Sequence, residues 1–426
     1  MAKRTVHPVR WWVLVVLLFW GVGAQASRVL LPMDDSQQNH LKAYGIAFWV
    51  LENDLEVEWL LNYRGGSFLL PNAPEIVSEC VIRGVSHQVI ADVQAAAILS
   101  EIADPEVNME HVKLEVAPKI AVYSPDGKMP WDDAVTLVLA YAEIPYERVY
   151  DAEVLNGELV DYDWLHLHHE DFTGQFGKFY RSYRNAPWYQ DEVANQTASA
   201  RTLGFHKVSH MKREVALTIR DFVLGGGFLF TMCSGTDSFD IALAAEDVDI
   251  CAAPFDGDPA APNAANAIDY ERGFAFQDYT LEMDPMVYEF SNIDATEDHT
   301  KLKQLNDFFT LFEFSAKWDI IPTMLTQSHE RAIPGFMGQT TAFRKDFVRP
   351  DVIIMGETKS TRSAKYIHGE LGQGQWTYYG GHDPEDYRHL VNDPPTDLNL
   401  HPNSCGYRLI LNNILFPAAK KKERKT

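Results

Sequence analysis

Cysteine is scarce in this chain. Four of the 426 residues are cysteines and none has C-x-x-C spacing; they are Cys80, Cys233, Cys251 and Cys405. A disulfide-stabilised scaffold has a much higher cysteine content, and a structural zinc knuckle needs paired cysteines. The hydrophobic core must therefore supply most of the stability. Export would permit disulfides, and the spacing leaves their pairing open.

Positive charge is also in short supply. The chain has 37 lysines and arginines against 60 acidic residues, for a formal net charge of −23. An acidic surface repels phosphate backbones, which argues against a nucleic-acid partner. The phosphate-binding loop G-x-x-x-x-G-K-[ST] and internal repeats are absent. The expected partner is a small-molecule substrate or ligand, and no pattern defines an oligomeric state.

The first 26 residues have the three parts of a secretory signal. A basic head at residues 3–10 precedes an apolar run over 11–20, and an A-x-A sequence ends at Ala26. This run is shorter than the about 20 residues that a spanning helix needs, and no later run is long enough. We expect cleavage after Ala26 and a mature protein, without a membrane span, in the periplasm or the medium.

Strand and helix patterns alternate through most of the remaining chain, which predicts an α/β fold. Residues 27–116 form an N-terminal α/β segment of βαβ type, with strands at 28–33 and 57–61 and helices at 37–51 and 74–102. Residues 117–416 form the main α/β domain, interrupted by an irregular insertion at 251–345 and followed by a basic tail at 417–426. Its predicted strands are 119–125, 146–150, 161–169, 228–232, 352–358, 364–371 and 374–382, and its helices are 131–142, 207–224, 236–245 and 404–416. The last three strands have the pattern of antiparallel strands joined by turns.

The segment 222–239 reads FVLGGGFLFTMCSGTDSF and places Cys233 at the turn from a strand into a helix. A nucleophile on such a turn is exposed, and a helix N-terminus lowers the pKa of a thiol. Backbone amides near Ser234 and Gly235 would stabilise an oxyanion. The alternative is a small buried side chain, since free cysteines are commonly buried. Met232 also stands where this motif has its first glycine.

The segment 376–385, WTYYGGHDPE, places His382 at the end of another strand. Open α/β sheets bind ligands at the carboxyl ends of their strands. His382 could therefore act as the base for Cys233, with Asp383 or Glu385 orienting the imidazole. Asp383 also fits a helix N-cap before Pro384, and the two roles are compatible.

A third group follows the strand at 161–169. In an extended chain, His166 and His168 face one side and His169 the other, with Glu170 and Asp171 next. Such histidines with a carboxylate could hold a divalent metal, although they match no known ligand spacing. The alternative is a polar strand end that hydrogen-bonds to its own loops. The sequence otherwise predicts no cofactor.

A fourth, weaker feature is the turn Arg64-Gly65-Gly66 after the strand at 57–61. Backbone amides in such a glycine-rich turn could bind an anion. The alternative is a plain turn.

These segments resemble the class I glutamine amidotransferase-like superfamily, and within it the trehalose-utilisation family more closely. That family has a glycine triplet, a strand, a turn and a T-D-[ST]-F stretch, matched at 225–227 and 236–239; it ends with a glycine-rich hairpin, a strand and G-H-D, matched at 372–374 and 381–383. The resemblance covers roughly 117–250 and 350–416 and is moderately specific. It implies a flavodoxin-like, mostly parallel sheet with helices on both faces, to which the N-terminal βαβ extension and the insertion are added.

Two departures bear on the chemistry. Cys233 stands where the sugar-utilisation proteins have histidine, which moves the site toward the amidotransferase type. The glutaminase pattern G-x-C-x-G with a later H-x-E is broken at Met232 and Glu385. The whole chain also resembles exported bacterial proteins labelled asparagine synthetase B, but it lacks the N-terminal cysteine and the S-G-G-x-D-S loop of an ATP-dependent synthetase.

The sequence therefore predicts an exported, thiol-dependent hydrolase of an amide or a sugar-derived compound. Cys233 would attack, His382 would transfer the proton, and Asp383 or Glu385 would orient it. Two alternatives stay open. One is a non-catalytic protein that binds a sugar or peptide in the same cleft, and the other is a metal-dependent hydrolase that uses His166 and His168.

Overall fold

The computed structural model describes residues 27–125, 133–391 and 393–419. The predicted signal segment 1–26 lies outside the described residues, as do residues 420–426 of the predicted basic tail.

The N-terminal part of the chain forms a five-stranded sheet in which every pair of neighbours is antiparallel. The strand order is β4-β1-β3-β2-β5. The strands are β1 (Ser27–Leu31), β2 (Val57–Leu61), β3 (Ser67–Pro71), β4 (Gln88–Ala91) and β5 (Glu110–Leu114), and the helices are α1 (His40–Glu52), α2 (Pro74–Ile82) and α3 (Asp92–Ile102). The predicted βαβ extension is therefore wrong, because β3, which follows β2 after the short turn at Arg64 to Gly66, lies between β1 and β2 and is antiparallel to both.

The predicted helix over 74–102 is two helices with a strand between them. Gly84 has a φ of +69°, a left-handed conformation that suits glycine, and it follows the end of α2. Residues 88–91 then add β4 to the edge of β1 before α3 begins. The apolar spacing of both helices was recognised, but the break between them was not.

A ten-stranded mixed sheet occupies the rest of the chain, with the main order β11-β10-β13-β14-β15-β9-β8-β6-β7 and β12 paired to β14. Its strands are β6 (Ile120–Tyr123), β7 (Glu147–Val149), β8 (Trp164–Leu167), β9 (Phe228–Met232), β10 (Phe308–Leu311), β11 (Ala332–Pro334), β12 (Phe343–Arg344), β13 (Ile353–Thr358), β14 (Ser363–Leu371) and β15 (Gly374–Tyr379). Neighbouring strands are parallel in the part of the sheet formed by β7, β6, β8, β9 and β15. All pairs among β10 to β15 are antiparallel.

Helices connect the parallel strands and fill the outer layers. They are α4 (Ala134–Ala142), α5 (Asp151–Leu155), α6 (Tyr180–Tyr183), α7 (Pro187–Thr202), α8 (Val208–Leu224), α9 (Ser234–Ala244), α10 (Ala253–Asp256), α11 (Ala264–Ala267), α12 (Thr296–Thr300), α13 (Ile320–Leu325) and α14 (Cys405–Leu415). One hydrophobic cluster joins the antiparallel sheet to α1, α4 and α14, while another joins α8 and α9 to the mixed sheet.

The fold is thus mixed α/β, and the predicted flavodoxin-like, mostly parallel sheet is wrong. The sequence pattern identified the parallel strands correctly, but half of the large sheet and all of the smaller sheet are antiparallel. The reason is local: β13, β14 and β15 are linked by short turns, and β10 to β12 come from the insertion that was expected to be irregular.

All four cysteines are buried free thiols. In the part of the chain that the structure describes, every helix is too short or too polar to cross a membrane.

Candidate metal and catalytic site

Three neighbouring strands bring the predicted site residues to one edge of the mixed sheet. Strand β9 lies between β8 and β15 and is parallel to both. Their carboxyl ends therefore point the same way, toward the edge where ligands bind in open α/β sheets. The histidines at 166–169 are at the end of β8, Cys233 follows β9, and His382 follows β15.

Backbone hydrogen bonds join these three strand ends. The Gly235 N–H donates to the His168 carbonyl at 2.7 Å, and the Cys233 N–H donates to the Gly381 carbonyl at 3.2 Å. The Ser234 hydroxyl donates to the His169 carbonyl at 3.2 Å. A Cβ on Gly235 would lie 2.5 Å from the His168 carbonyl oxygen, so only glycine permits this approach. The Gly235 N–H, which the sequence suggested as an oxyanion donor, therefore already donates to the His168 carbonyl.

Cys233 adopts a strained backbone, with φ +49° and ψ −139°. Such a conformation is costly for a side chain with a Cβ and is found at functional turns. The thiol is nevertheless 3% exposed, and its sulfur accepts a hydrogen bond from the Gln339 N–H at 3.3 Å. Burial raises the pKa of Cys233 to about 11. The thiol is therefore protonated at neutral pH in this conformation.

Three imidazoles converge at this edge. The Nε2 atom of His168 lies 2.9 Å from Nδ1 of His382. One ligand atom from each of His168, His169 and His382 lies within 4.8 Å of the others, and all three residues are buried. Burial lowers the pKa of His168 and His169 well below the usual value, so both are neutral, the form that binds a metal. These residues could hold a metal ion.

Asp133, the residue that precedes α4, lies close to two of the imidazoles. Its carboxylate caps α4 by accepting from the Val135 N–H at 2.7 Å. Its oxygens also lie 3.3 Å from Nε2 of His166 and 3.6 Å from Nδ1 of His168. Burial raises the pKa of Asp133, but His166 and His168 outweigh that effect and hold the pKa well below its usual range.

Asp133 matches the carboxylate that orients a metal-binding histidine in known sites, where the second ring nitrogen donates to an acidic group. Asp133, His166 and His168 also form a group with ligand atoms within 4.8 Å of one another. His166 is held from its other side, with Nδ1 3.1 Å from the Phe230 carbonyl.

Glu170 is 7% exposed, and neither of its carboxylate oxygens accepts a hydrogen bond from another described residue. One oxygen lies 3.8 Å from Nε2 of His169. Burial, and next the charge on Asp133, raise the pKa of Glu170 to about 8. A buried carboxylate without partners is costly, so a cation or a bound water is expected beside it.

The two carboxylates proposed to orient His382 have other partners. Asp383 accepts from the Glu385 N–H at 2.8 Å and from the Thr396 hydroxyl at 2.7 Å. Glu385 lies 2.9 Å from Nδ1 of His401. Both carboxylates therefore order the loop that follows β15. Asp171 has a similar local role, since it accepts from the Thr173 and Gly177 N–H groups.

The turn at Arg64-Gly65-Gly66 lies on the smaller sheet, whereas the histidines of the site lie on the mixed sheet. The Arg64 guanidinium donates to Asp34 at 2.6 Å, so its charge is paired. The carbonyl of Gly65 accepts from Arg408, and the carbonyl of Gly66 accepts from the indole of Trp59. A neighbouring cavity of about 450 Å³ includes Asp34 and Asp35 in its lining, which opposes anion binding.

Two residues of the site were missed in the sequence. Asp133 was assigned to the body of a helix, although an aspartate that precedes an apolar helix is a common N-cap. His389 was not considered, yet its ring stacks on that of His382 with centroids 4.8 Å apart. His389 lies seven residues after His382 and outside any strand, and this spacing matches no known ligand motif.

Comparisons with known proteins name no family. No protein-family model and no curated protein matches the chain. Two cytoplasmic proteins of Salmonella typhimurium align with 71% of this chain and 100% of their own length, at 11% and 12% identity and a TM-score of 0.33. A GH42 beta-galactosidase of G. stearothermophilus aligns with 63% of this chain and 28% of its own length, at 11% identity and a TM-score of 0.28. The chemistry of the site is therefore the basis for assigning a function.

Proposed function

We propose that this protein is a divalent-metal-dependent hydrolase whose metal ligands are His168, His169 and His382. The observation that carries the proposal is the convergence of these three buried imidazoles, with ligand atoms within 4.8 Å of one another. Three protein ligands with an open fourth position are typical of catalytic zinc sites. The proposal develops the metal-dependent alternative from the sequence and replaces His166 as a direct ligand by His169 and His382.

The spacing of the nitrogens supports a metal. Two histidine nitrogens on one tetrahedral zinc ion lie about 3.3 Å apart, given Zn–N bonds of about 2.05 Å. His168 Nε2 and His382 Nδ1 are 2.9 Å apart, so a small outward shift of each ring would accommodate the ion. The second nitrogen of His168 lies 3.3 Å from Nε2 of His166, which itself lies 3.3 Å from Asp133, so His166 and Asp133 together would fix the ring orientation.

Glu170 supplies the remaining part of a hydrolytic site. A bound divalent ion would polarise a carbonyl or phosphoryl group and acidify water. Glu170 lies beside His169, buried and without a hydrogen bond to another described residue, in a position to accept the proton of the attacking water. The negative charge of Glu170 would also be balanced by the ion.

Metal analysis of the purified protein tests the proposal. We expect about one or more tightly bound Zn²⁺, Mn²⁺ or Co²⁺ per chain, and loss of that metal in His168→Gln and His382→Gln. His87→Gln is the matched control, because His87 is a half-buried histidine on the smaller sheet whose ring contacts the Val85 carbonyl. Folded protein that binds none of these ions with measurable affinity would contradict the proposal.

A second candidate is the thiol-dependent hydrolase, and the strained backbone of Cys233 favours it. In that mechanism the thiol must ionise and reach the substrate, which requires a conformation other than the buried one. Alkylation by iodoacetamide near neutral pH separates the two. We expect slow alkylation, because Cys233 is buried and its pKa is raised to about 11.

The Cys233→Ser variant extends this test. It should keep its metal and its hydrolytic activity if the metal mechanism holds. Rapid alkylation together with complete inactivation of Cys233→Ser would favour the thiol mechanism instead. The proposal keeps export after residue 26 as its expected location, which N-terminal sequencing of the mature protein would test.

A further inference from the structure

A second group of metal-binding residue types lies in the loop after β15. Asp386, His389 and Asp393 each offer one ligand atom, and these atoms lie within 4.8 Å of one another. The Nδ1 atom of His389 is 3.0 Å from an Asp386 oxygen, and the side chain of His389 is 2% exposed. Imidazole with carboxylates is a ligand set that suits Mn²⁺, Fe²⁺ or Zn²⁺.

This group adjoins the histidine site described above. The rings of His382 and His389 are stacked, with centroids 4.8 Å apart and planes inclined by 21°. The two groups of ligands are therefore adjacent, as the ligands of the two ions in two-metal hydrolases are.

Charge balance provides an independent argument. Two carboxylates, Asp386 and Asp393, lie beside His389, and Glu170 lies beside His169. Glu170 is more than nine-tenths buried, faces His169 and accepts no hydrogen bond from another described residue. A second divalent ion would offset the two negative charges of Asp386 and Asp393. Two carboxylates that share a site repel each other, so a cation between them is favoured.

We propose that the site is dinuclear: one divalent ion on His168, His169 and His382, and a second on Asp386, His389 and Asp393. This inference rests on the proposed function and deepens it. Two ions side by side clamp both the attacking and the leaving oxygen of an ester, which is the arrangement used on phosphate esters and on some amides. A phosphate ester is thus the substrate class that the pair favours.

Titration of the metal-free full-length protein with Mn²⁺ tests the second position. We expect about two Mn²⁺ per chain and a spin-coupled electron paramagnetic resonance spectrum. Asp386→Asn with Asp393→Asn should bind about one Mn²⁺ and give an uncoupled spectrum. Asp397→Asn is the matched control, because Asp397 caps a turn in the same loop by accepting from the Asn399 N–H.

Each outcome has a distinct meaning. One Mn²⁺ in the wild type, lost on His168→Gln, overturns the second position but leaves the proposed function standing. No Mn²⁺ in the wild type, with zinc and cobalt also unbound, overturns both. Two Mn²⁺ that persist in the double variant place the second ion elsewhere and overturn the inference. If the double variant fails to fold, His389→Gln provides the same comparison with one substitution.

Discussion

Two buried histidine clusters in this molecule differ in a way that separates structure from function. In the first, His40 and His329 stack with ring centroids 4.0 Å apart beneath α14. The His40 nitrogens lie 3.0 Å from the Asn403 side chain and 3.0 Å from the Met33 carbonyl. His329 contacts Arg408 and Cys405.

The second cluster lies at the edge formed by β8, β9 and β15. There a ring nitrogen of one histidine contacts a ring nitrogen of another, whereas the nitrogens of His40 contact an amide side chain and a backbone carbonyl. His168 contacts His382, and the buried Glu170 beside His169 lacks a hydrogen bond to any other described residue. His40 is buried like His168, but only the second cluster has ligand atoms gathered around a common point. Burial of histidine alone is therefore a poor indicator of a site, and the partner of each ring nitrogen is a better one.

The largest expected difference between the clusters is in metal affinity. Replacing His382 by Gln should weaken metal binding by more than about 100-fold, since removal of an outer-shell partner alone costs 10–100-fold. The same substitution at His40 should leave the affinity unchanged, because His40 is bound to Asn403 and Met33. Competition against a fluorescent chelator measures the metal affinity of both variants. Equal losses in the two variants would mean that the clusters are not functionally distinct.

Asp133→Asn should have the next largest effect. The carboxylate lies 3.6 Å from Nδ1 of His168, and its loss should weaken metal binding by about 10–100-fold without changing the stoichiometry. Asp163→Asn is a suitable comparison, because Asp163 accepts from the Lys119 N–H at the other end of the same strands. An unchanged affinity in Asp133→Asn would remove Asp133 from the site.

His40→Ala should act on stability rather than on metal. It removes the contacts of the His40 ring with the Asn403 side chain and the Met33 carbonyl and its stacking on His329, which we expect to cost about 1–3 kcal/mol of unfolding free energy. Urea denaturation measures this change. A variant of unchanged stability would show that the stacked pair is dispensable.

The first cluster should also give the stability a pH dependence. Burial, and next the charge of Arg408, lower the pKa of His40 to about 3 and that of His329 to about 4. Between these values and about 6.5, the unfolded chain binds more protons than the folded one. The unfolding free energy should therefore fall as the pH falls through this window.

For His40 the slope is up to about 1.4 kcal/mol per pH unit. The His40→Ala variant should lose that part of the slope, which urea denaturation at several pH values between 4 and 6.5 would reveal, where 6.5 is the usual pKa of histidine. A slope identical to that of the wild type would contradict the assignment.

The sequence was sufficient for much of the fold and for part of the site. Apolar runs located β9 and α8 almost to the residue, because the glycines at 225–227 mark the boundary between them. Turn signals also predicted that β13, β14 and β15 run antiparallel to one another, and the structure confirms this. The strands of the insertion, β10 to β12, were not predicted, because their segment has no regular pattern. The strands β3 and β5 were missed because neither has a helix or glycine signal on both sides.

Within the site, His168 and His382 were recognised because each follows an apolar strand. Their contact could not be predicted, since it depends on β9 lying between β8 and β15. The expected pairing of His382 with Asp383 rested on sequence proximity, whereas Asp383 turns toward Thr396.

The hydrogen bonds that tie the strand ends together have a consequence for metal choice. The Gly235, Ser234 and Cys233 contacts to positions 168, 169 and 381 involve main-chain atoms of the ligand loops, so they persist whatever side chains those loops carry. Imidazole could be exchanged for carboxylate or thiolate at positions 168, 169 and 382 while the chain stays in place. The scaffold could thus change its metal preference by substitution of ligands alone, which makes it suitable for redesign toward harder or softer ions.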